Sequence, residues 1–194
     1  LTFLACRAPD ERSLGADTIQ PGDVALVNGV LGDHGATILA ARGDMALSTD
    51  IQSDCQSLNG LMEAVLAAAP NTRAARDATR GGLASALNEM AGASALSIEI
   101  DETALPLRPE VKGVCEVLGF DPLYLANEGT LVLFVPEAEA QAALAAMRAT
   151  EAGKNAALIG RARTGPSGRV TMKTLFGGQR LVDTLVGEQL PRIC

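Results

Sequence analysis

Apolar positions recur along the chain with two different periods, and the switches between them mark out its elements. In LNGLMEAVLAAAP, residues 58–70, Leu58, Leu61, Met62, Val65 and Leu66 share one side of a 3.6-residue repeat that stops at Pro70, which predicts an amphipathic helix. GGLASALNEMAG, residues 81–92, repeats the pattern through Leu83, Leu87 and Met90 and predicts a helix closing on Gly92. VKGVCEVLG places Val111, Val114, Cys115 and Leu118 on one helical face. PEAEAQAALAAMRA reads as a helix with Pro136 near its first turn and acidic residues by its positive end, and GATILAARG as a short helix. Short apolar runs bounded by turn residues predict strands in PGDVALVNG, ALSIEI, GTLVLFVP, AALIGRA, GRVTMKTL and RLVDTLV. Helices and strands alternate irregularly and the strands gather toward the end, so the fold class is α+β rather than a regular βαβ wheel.

A length of 194 residues suits one domain with its own core. Residues 1–20, a short apolar piece followed by a charged, turn-rich stretch, read as a linker; residues 21–186 carry the domain. Apolar residues make up 47% but aromatic ones only 3%, with no Trp, so the core is built from Leu, Val, Ile and Ala. The net charge of -7, with no block of Lys or Arg, would repel a phosphate backbone and argues against a nucleic-acid partner. No apolar run approaches the roughly 20 residues that cross a bilayer, and the opening LTFLACRAPDE has no basic leader, which points to a cytoplasmic protein. Cys6, Cys55, Cys115 and Cys194 are too scattered for a zinc site or a redox pair, so no metal site is assigned and free thiols are expected in a reducing compartment.

Four places could carry chemistry. NGVLGDHGAT sets Gly29, Gly32 and Gly35 between a strand and a helix, with Asp33 and His34, the single histidine, among them. Backbone N–H groups of such a turn can converge on an anion at the positive end of the helix, or the glycines can simply supply positive φ while Asp33 caps the helix. RDATRGGL is a second glycine-opened helix start: Asp77 and Thr79 can accept from first-turn N–H groups, and Arg80 beside Gly81 and Gly82 can fork onto a phosphate or carboxylate, or be a solvated arginine after a plain cap. Glu128 lies between Asn127 and Gly129 at the mouth of an apolar strand, where partial desolvation would favour proton transfer; a surface turn is the plain alternative. The ending EQLPRIC puts Cys194 at the chain's last position, after a Pro191 that opposes helix, so residues 187–194 read as a mobile arm carrying a thiol.

GDHGAT, RDATRGGL, ANEG, KNAALIG and the terminal LPRIC, in this order and spacing, resemble the C-terminal domain of the HypE family of hydrogenase maturation factors. The resemblance runs from about Pro21 to Cys194, and the ending is its most specific part. The family sits in a superfamily of ATP-using enzymes with aminoimidazole ribonucleotide synthetase, selenophosphate synthetase and thiamine phosphate kinase. The resemblance implies a mixed sheet layered with helices, followed by a flexible tail. It also implies that HypF carbamoylates Cys194, that ATP with Mg drives loss of water from the thiocarboxamide to give a thiocyanate, and that the cyanide passes to iron held by HypC and HypD. Glu128 would then be the general base. Gly32, Asp33, His34 and Gly35, with Asp77, Thr79, Arg80, Gly81 and Gly82, would face the nucleotide or the incoming tail. The N-terminal half that supplies most ATP and Mg ligands and the main homodimer contact is missing, so the chain alone is expected to be an inactive monomer. Two rival readings are a non-catalytic docking module for HypF or the HypC–HypD pair, and a fragment of another superfamily member such as a selenophosphate synthetase.

Overall fold

A computed structural model describes residues 14–41 and 50–184. Within these residues seven strands form one mixed sheet: β1 (Val24–Val27), β2 (Ala74–Asp77), β3 (Ser97–Asp101), β4 (Leu131–Val135), β5 (Ala157–Arg163), β6 (Val170–Lys173) and β7 (Gln179–Leu181). Their spatial order is β2-β4-β1-β5-β3-β6-β7, antiparallel at every pairing except β3 with β6. Among the described residues five α-helices accompany them: α1 (Asp33–Ala41), α2 (Asn59–Ala68), α3 (Gly82–Ser94), α4 (Pro109–Leu118) and α5 (Ala140–Arg148). The sheet layered with helices is the α+β architecture that the sequence implies.

The central strands β1 and β4 read as unbroken apolar runs because both of their faces are covered. Ala25, Val27, Val132 and Phe134 point into one core with Leu83, Leu87 and Met90 of α3, while Val24, Leu26, Leu131, Leu133 and Val135 point into the other with Leu61 and Val65 of α2 and Leu144 and Met147 of α5. Alternation along a strand sends neighbouring residues to opposite layers. Burying a Leu or Phe side chain fully contributes about 1.5–3 kcal/mol, so these two layers carry the fold. A third, smaller cluster joins Ala36 of α1, Val111 and Cys115 of α4, and Leu125. Burial pushes the Cys115 thiol up to about 11, reinforced by the nearby Asp121 and Glu116 carboxylates, which keeps it an inert core residue.

One sequence expectation is corrected, and one strand lies where no apolar run predicted it. Helix α3 does not close on Gly92; it runs to Ser94 and ends where Ala95 takes a left-handed conformation, φ 56°. The run of Ala and Arg at 73–77 carries strand β2, paired along β4 from Ala74 opposite Phe134 to Asp77 opposite Leu131. The end of the stretch expected as a linker is docked on the domain: Ile19 is buried in the α3-side core, and Thr18 Oγ1 donates to the Arg73 carbonyl at 2.8 Å. At the other end, Val182 is buried and its N–H donates to the Val170 carbonyl at 2.9 Å. Asn88 Nδ2 donates to the Val182 carbonyl at 2.9 Å, Tyr124 Oη to the Asp183 carbonyl at 2.8 Å, and Arg180 pairs with Asp121 at 2.6 Å. Cys6, the arm expected over residues 187–194 and Cys194 itself lie outside the described residues. Among the described residues no helix is long and apolar enough to cross a membrane.

Candidate active site

The two glycine-rich helix starts lie on either side of one segment, residues 122–130. Gly82, at φ +63°, lets the start of α3 come so close to this segment that a Cβ there would run into the backbone carbonyl oxygens of Leu123 and Leu125. On the other side Gly32 and Gly35 abut Leu125. Asn127, fully buried, ties the three pieces together. Its Oδ1 accepts from the Gly32 N–H at 2.7 Å, and its Nδ2 donates to the carbonyls of Ala78 at 3.1 Å and Leu125 at 3.0 Å. Its own N–H donates to the Ala78 carbonyl at 3.1 Å. A short amide side chain with both donor and acceptor ends is what such a junction demands, since buried backbone groups left unpaired are costly.

Beyond Asn127 the chain exposes Glu128 and turns into β4. The turn is gripped by residues from far away in sequence. Asp54 Oδ1 accepts from the Glu128 N–H at 2.9 Å and Oδ2 from the Gly129 N–H at 3.0 Å, while the Gly129 carbonyl accepts from Gln56 Nε2 and from Asn28 Nδ2, each at 3.0 Å. Asn28, buried at the end of β1, also accepts the Leu131 N–H at 2.7 Å and donates to the Ala152 carbonyl at 2.9 Å. Gly129 admits this packing because a side chain would strike the Asp54 carbonyl. The Glu128 carboxylate itself has no hydrogen-bond partner among the described residues and stands in solvent, as a group that must meet a substrate would.

Asp33 opens α1 but does not cap it. Its Oδ2 pairs with Arg108 Nε at 2.8 Å, and its buried Oδ1 has no hydrogen-bond partner among the described residues. Burial raises the Asp33 pKa, while the Arg108 hydrogen bond and charge pull it back and Asp54 and Glu110 add to the rise. His34 is half-buried and shares a hydrogen bond with Ser53 Oγ at 2.9 Å. Asp33, Asp54, Arg108 and Thr130 line an open cleft of about 870 Å³ between the end of β1, residues 50–56, α4 and residues 151–155. A carboxyl whose folded pKa is raised gives the fold stability that is full below its ordinary value near 3.8 and is lost as the pH rises through the folded value. The urea midpoint of the native chain, measured relative to that of Asp33→Asn, is therefore expected to rise as the pH is lowered from 7 to 4; a difference independent of pH would refute the assignment.

The structure thus brings Gly32 and Gly35 from one helix start and Gly82 from the other against the segment that carries Glu128, with Asp33, His34 and Gly81 beside them in sequence. The N–H of Gly32 is taken by Asn127 and that of Gly35 by the Ala126 carbonyl at 3.0 Å, so neither is open to an anion here. Asp77 and Thr79 do not cap α3 as their positions suggested. Thr79 Oγ1 donates to Asp77 Oδ2 at 2.8 Å, and the residue that caps α3 is Gly81, with no side-chain bond. Asp77 ends β2 and Arg80 is exposed at the turn into α3. Among the described residues no group of three His, Cys, Asp or Glu side chains is placed to hold a metal ion. No local pattern singles out Asn28, Asp54, Gln56 and Arg108: polar residues in short irregular stretches look alike until their distant partners are known.

A mixed sheet with helices opening beside a shared, gripped turn is the arrangement of a known domain class. The chain belongs to the family of AIR synthase related proteins, C-terminal domain, whose pattern matches residues 20–173. Within that class it is similar to the carbamoyl dehydratase HypE of Rhodobacter capsulatus, with 67% identity over 96% of this chain and 55% of the relative. It is also similar to the crystal structure of a HypE in complex with ATP, at 45% identity and a TM-score of 0.87 over 93% of this chain and 55% of that one. For a HypE–HypF complex the figures are 39% identity and a TM-score of 0.83 over 88% of this chain and 55% of that one. The chain spans about half the length of the curated relatives it matches.

Proposed function

We propose that this chain is the part of an ATP-dependent carbamoyl dehydratase that carries both the modified cysteine, Cys194, and the base, Glu128. The observation that carries the reading is the agreement of two things: 67% identity with a carbamoyl dehydratase over nearly the whole chain, and a solvent-facing Glu128 on a turn fixed from both sides. HypF, bound to a HypE in one related structure, would transfer a carbamoyl group to the Cys194 sulfur. ATP, bound to a HypE in another, would phosphorylate the carbamoyl oxygen and make it a good leaving group. Glu128 then takes a proton from the nitrogen as the C–O bond breaks; phosphate departs, the second nitrogen proton is lost, and sulfur is left bearing a nitrile. The thiocyanate would hand its cyanide to iron held by HypC and HypD in the cytoplasm.

In this scheme His34 and Arg80 offer side chains to the nucleotide or the incoming tail, and Asp33, Asp77 and Thr79 lie beside them. Gly32, Gly35, Gly81 and Gly82 shape the backbone around the Glu128 segment. Residues 1–20 join the 21–186 domain to an N-terminal half that brings most ATP and Mg ligands and the homodimer contact. The isolated 194-residue chain is accordingly expected to show no ATP turnover and to sediment as a monomer at low micromolar concentration; turnover or a stable dimer would contradict the division of labour. The scheme as a whole is tested by incubating the full-length protein with HypF, carbamoyl phosphate and ATP and weighing its C-terminal peptide. That peptide should gain a carbamoyl group and then lose one water, and Cys194→Ala should show neither change.

A further inference from the structure

We propose that Asp54 is a positioning residue for Glu128, a role that rests on Glu128 being the base. One carboxylate spans two successive amides, those of Glu128 at 2.9 Å and Gly129 at 3.0 Å, and so fixes the peptide on both sides of the Glu128 Cα. Thr130 Oγ1 lies 2.9 Å from Asp54 Oδ2 and 3.3 Å from the Val30 carbonyl, and gives its single proton to the nearer, charged acceptor. Asp54 thus gathers three consecutive residues into one fork. The Glu128 side chain makes no bond of its own among the described residues, so its aim is set by this backbone.

Gly129 and Thr130 are buried and use the clasp to pair their polar groups, but the exposed Glu128 N–H does not need a charged partner, because water would satisfy it equally well. What the clasp supplies is direction. Proton transfer requires the base within hydrogen-bond reach of the proton it removes, and a misplacement of about 1 Å can cost about 100-fold in rate. The grip comes from 74 residues away in sequence, on the stretch that also lines the cleft. Gln56, two residues on, holds the Gly129 carbonyl from the same stretch at 3.0 Å. Asp54 and Gln56 therefore act as a two-point clamp, one on the donors and one on the acceptor of the turn.

The test uses the full-length protein with its Cys194 already carbamoylated. Asp54→Asn replaces one acceptor oxygen with an N–H donor that faces another donor. It should lower the single-turnover rate of water loss by roughly 10- to 100-fold, leave KM for ATP unchanged, and speed amide exchange at Glu128 and Gly129 while β4 stays protected. In a Glu128→Gln background the same substitution should add nothing to the loss, because a positioning residue has no effect once its target is gone. Asp54→Asn turning over at the native rate beside an inactive Glu128→Gln overturns the positioning role and spares the base. An equal further loss in the Glu128→Gln background also overturns it, as a general structural defect would produce that. Native-rate dehydration by Glu128→Gln overturns the parent reading instead. Should Asp54→Asn not fold, Gln56→Ala reads the other point of the clamp: a slowed water loss with KM unchanged supports the clamp, and a native rate overturns it.

Discussion

In the full-length protein, Glu128→Gln is expected to accept a carbamoyl group on Cys194 at the native rate and then to stall, losing water about 10²- to 10⁴-fold more slowly. The substitution keeps the shape of the side chain and removes only its capacity to take a proton. Backbone contacts to Asp54, Gln56 and Asn28 do not involve the side chain, so the turn keeps its form. The carbamoylated species should therefore accumulate, visible as a C-terminal peptide that gains mass and never loses water. Unimpaired water loss would show that another group takes the proton. Loss of carbamoylation as well would show that Glu128 serves the encounter with the donor rather than the elimination.

Asn127→Leu is expected to destabilise the 194-residue chain by about 2–5 kcal/mol, read as a fall in the urea midpoint at unchanged slope. Leucine matches the volume but offers no polar atom. It strands the buried Gly32 N–H and takes one donor each from the Ala78 and Leu125 carbonyls. Each stranded buried group costs about 1–3 kcal/mol, with the Ala78 carbonyl cushioned by the bond it keeps to the Asn127 N–H. The cost falls on a junction that both glycine-rich helix starts share, so the substitution should also disturb Glu128, the next residue. A shift within about 0.5 kcal/mol, the scale of an ordinary surface change, would mean that the junction is held by packing alone.

The elements that could be read from the chain are those in which burial follows a simple period. VALV and LVLFV are strands buried on both faces, and α2, α4 and α5 present one apolar stripe each, so hydropathy alone locates them. Strand β2 escaped because ARD at its end is exposed or half-buried and alanine has little strand preference; its place at the sheet edge is fixed by pairing with β4, which no local pattern encodes. Gly92 suggested a helix end because glycine favours such ends, but nothing crowds it and the helix carries on to a left-handed Ala95. The site followed the same rule. Its glycines and Glu128 were visible as motifs, whereas Asp54, Asn28 and Arg108 act across 74 to 124 residues of sequence and gain meaning only through partners that the fold supplies.

The bonds at Val182 and Asp183 moor the strand that precedes the chain's end beside Tyr124, four residues from Glu128. Cys194 is the tenth residue beyond Thr184, and a fully extended chain covers at most about 3.6 Å per residue. In the proposed scheme the sulfur is consequently on a leash of roughly 36 Å from Thr184, whose neighbour Asp183 is moored to Tyr124 on the segment that also carries Glu128. Under that scheme, any protein that loads or unloads the sulfur must bring its own reactive centre inside that radius.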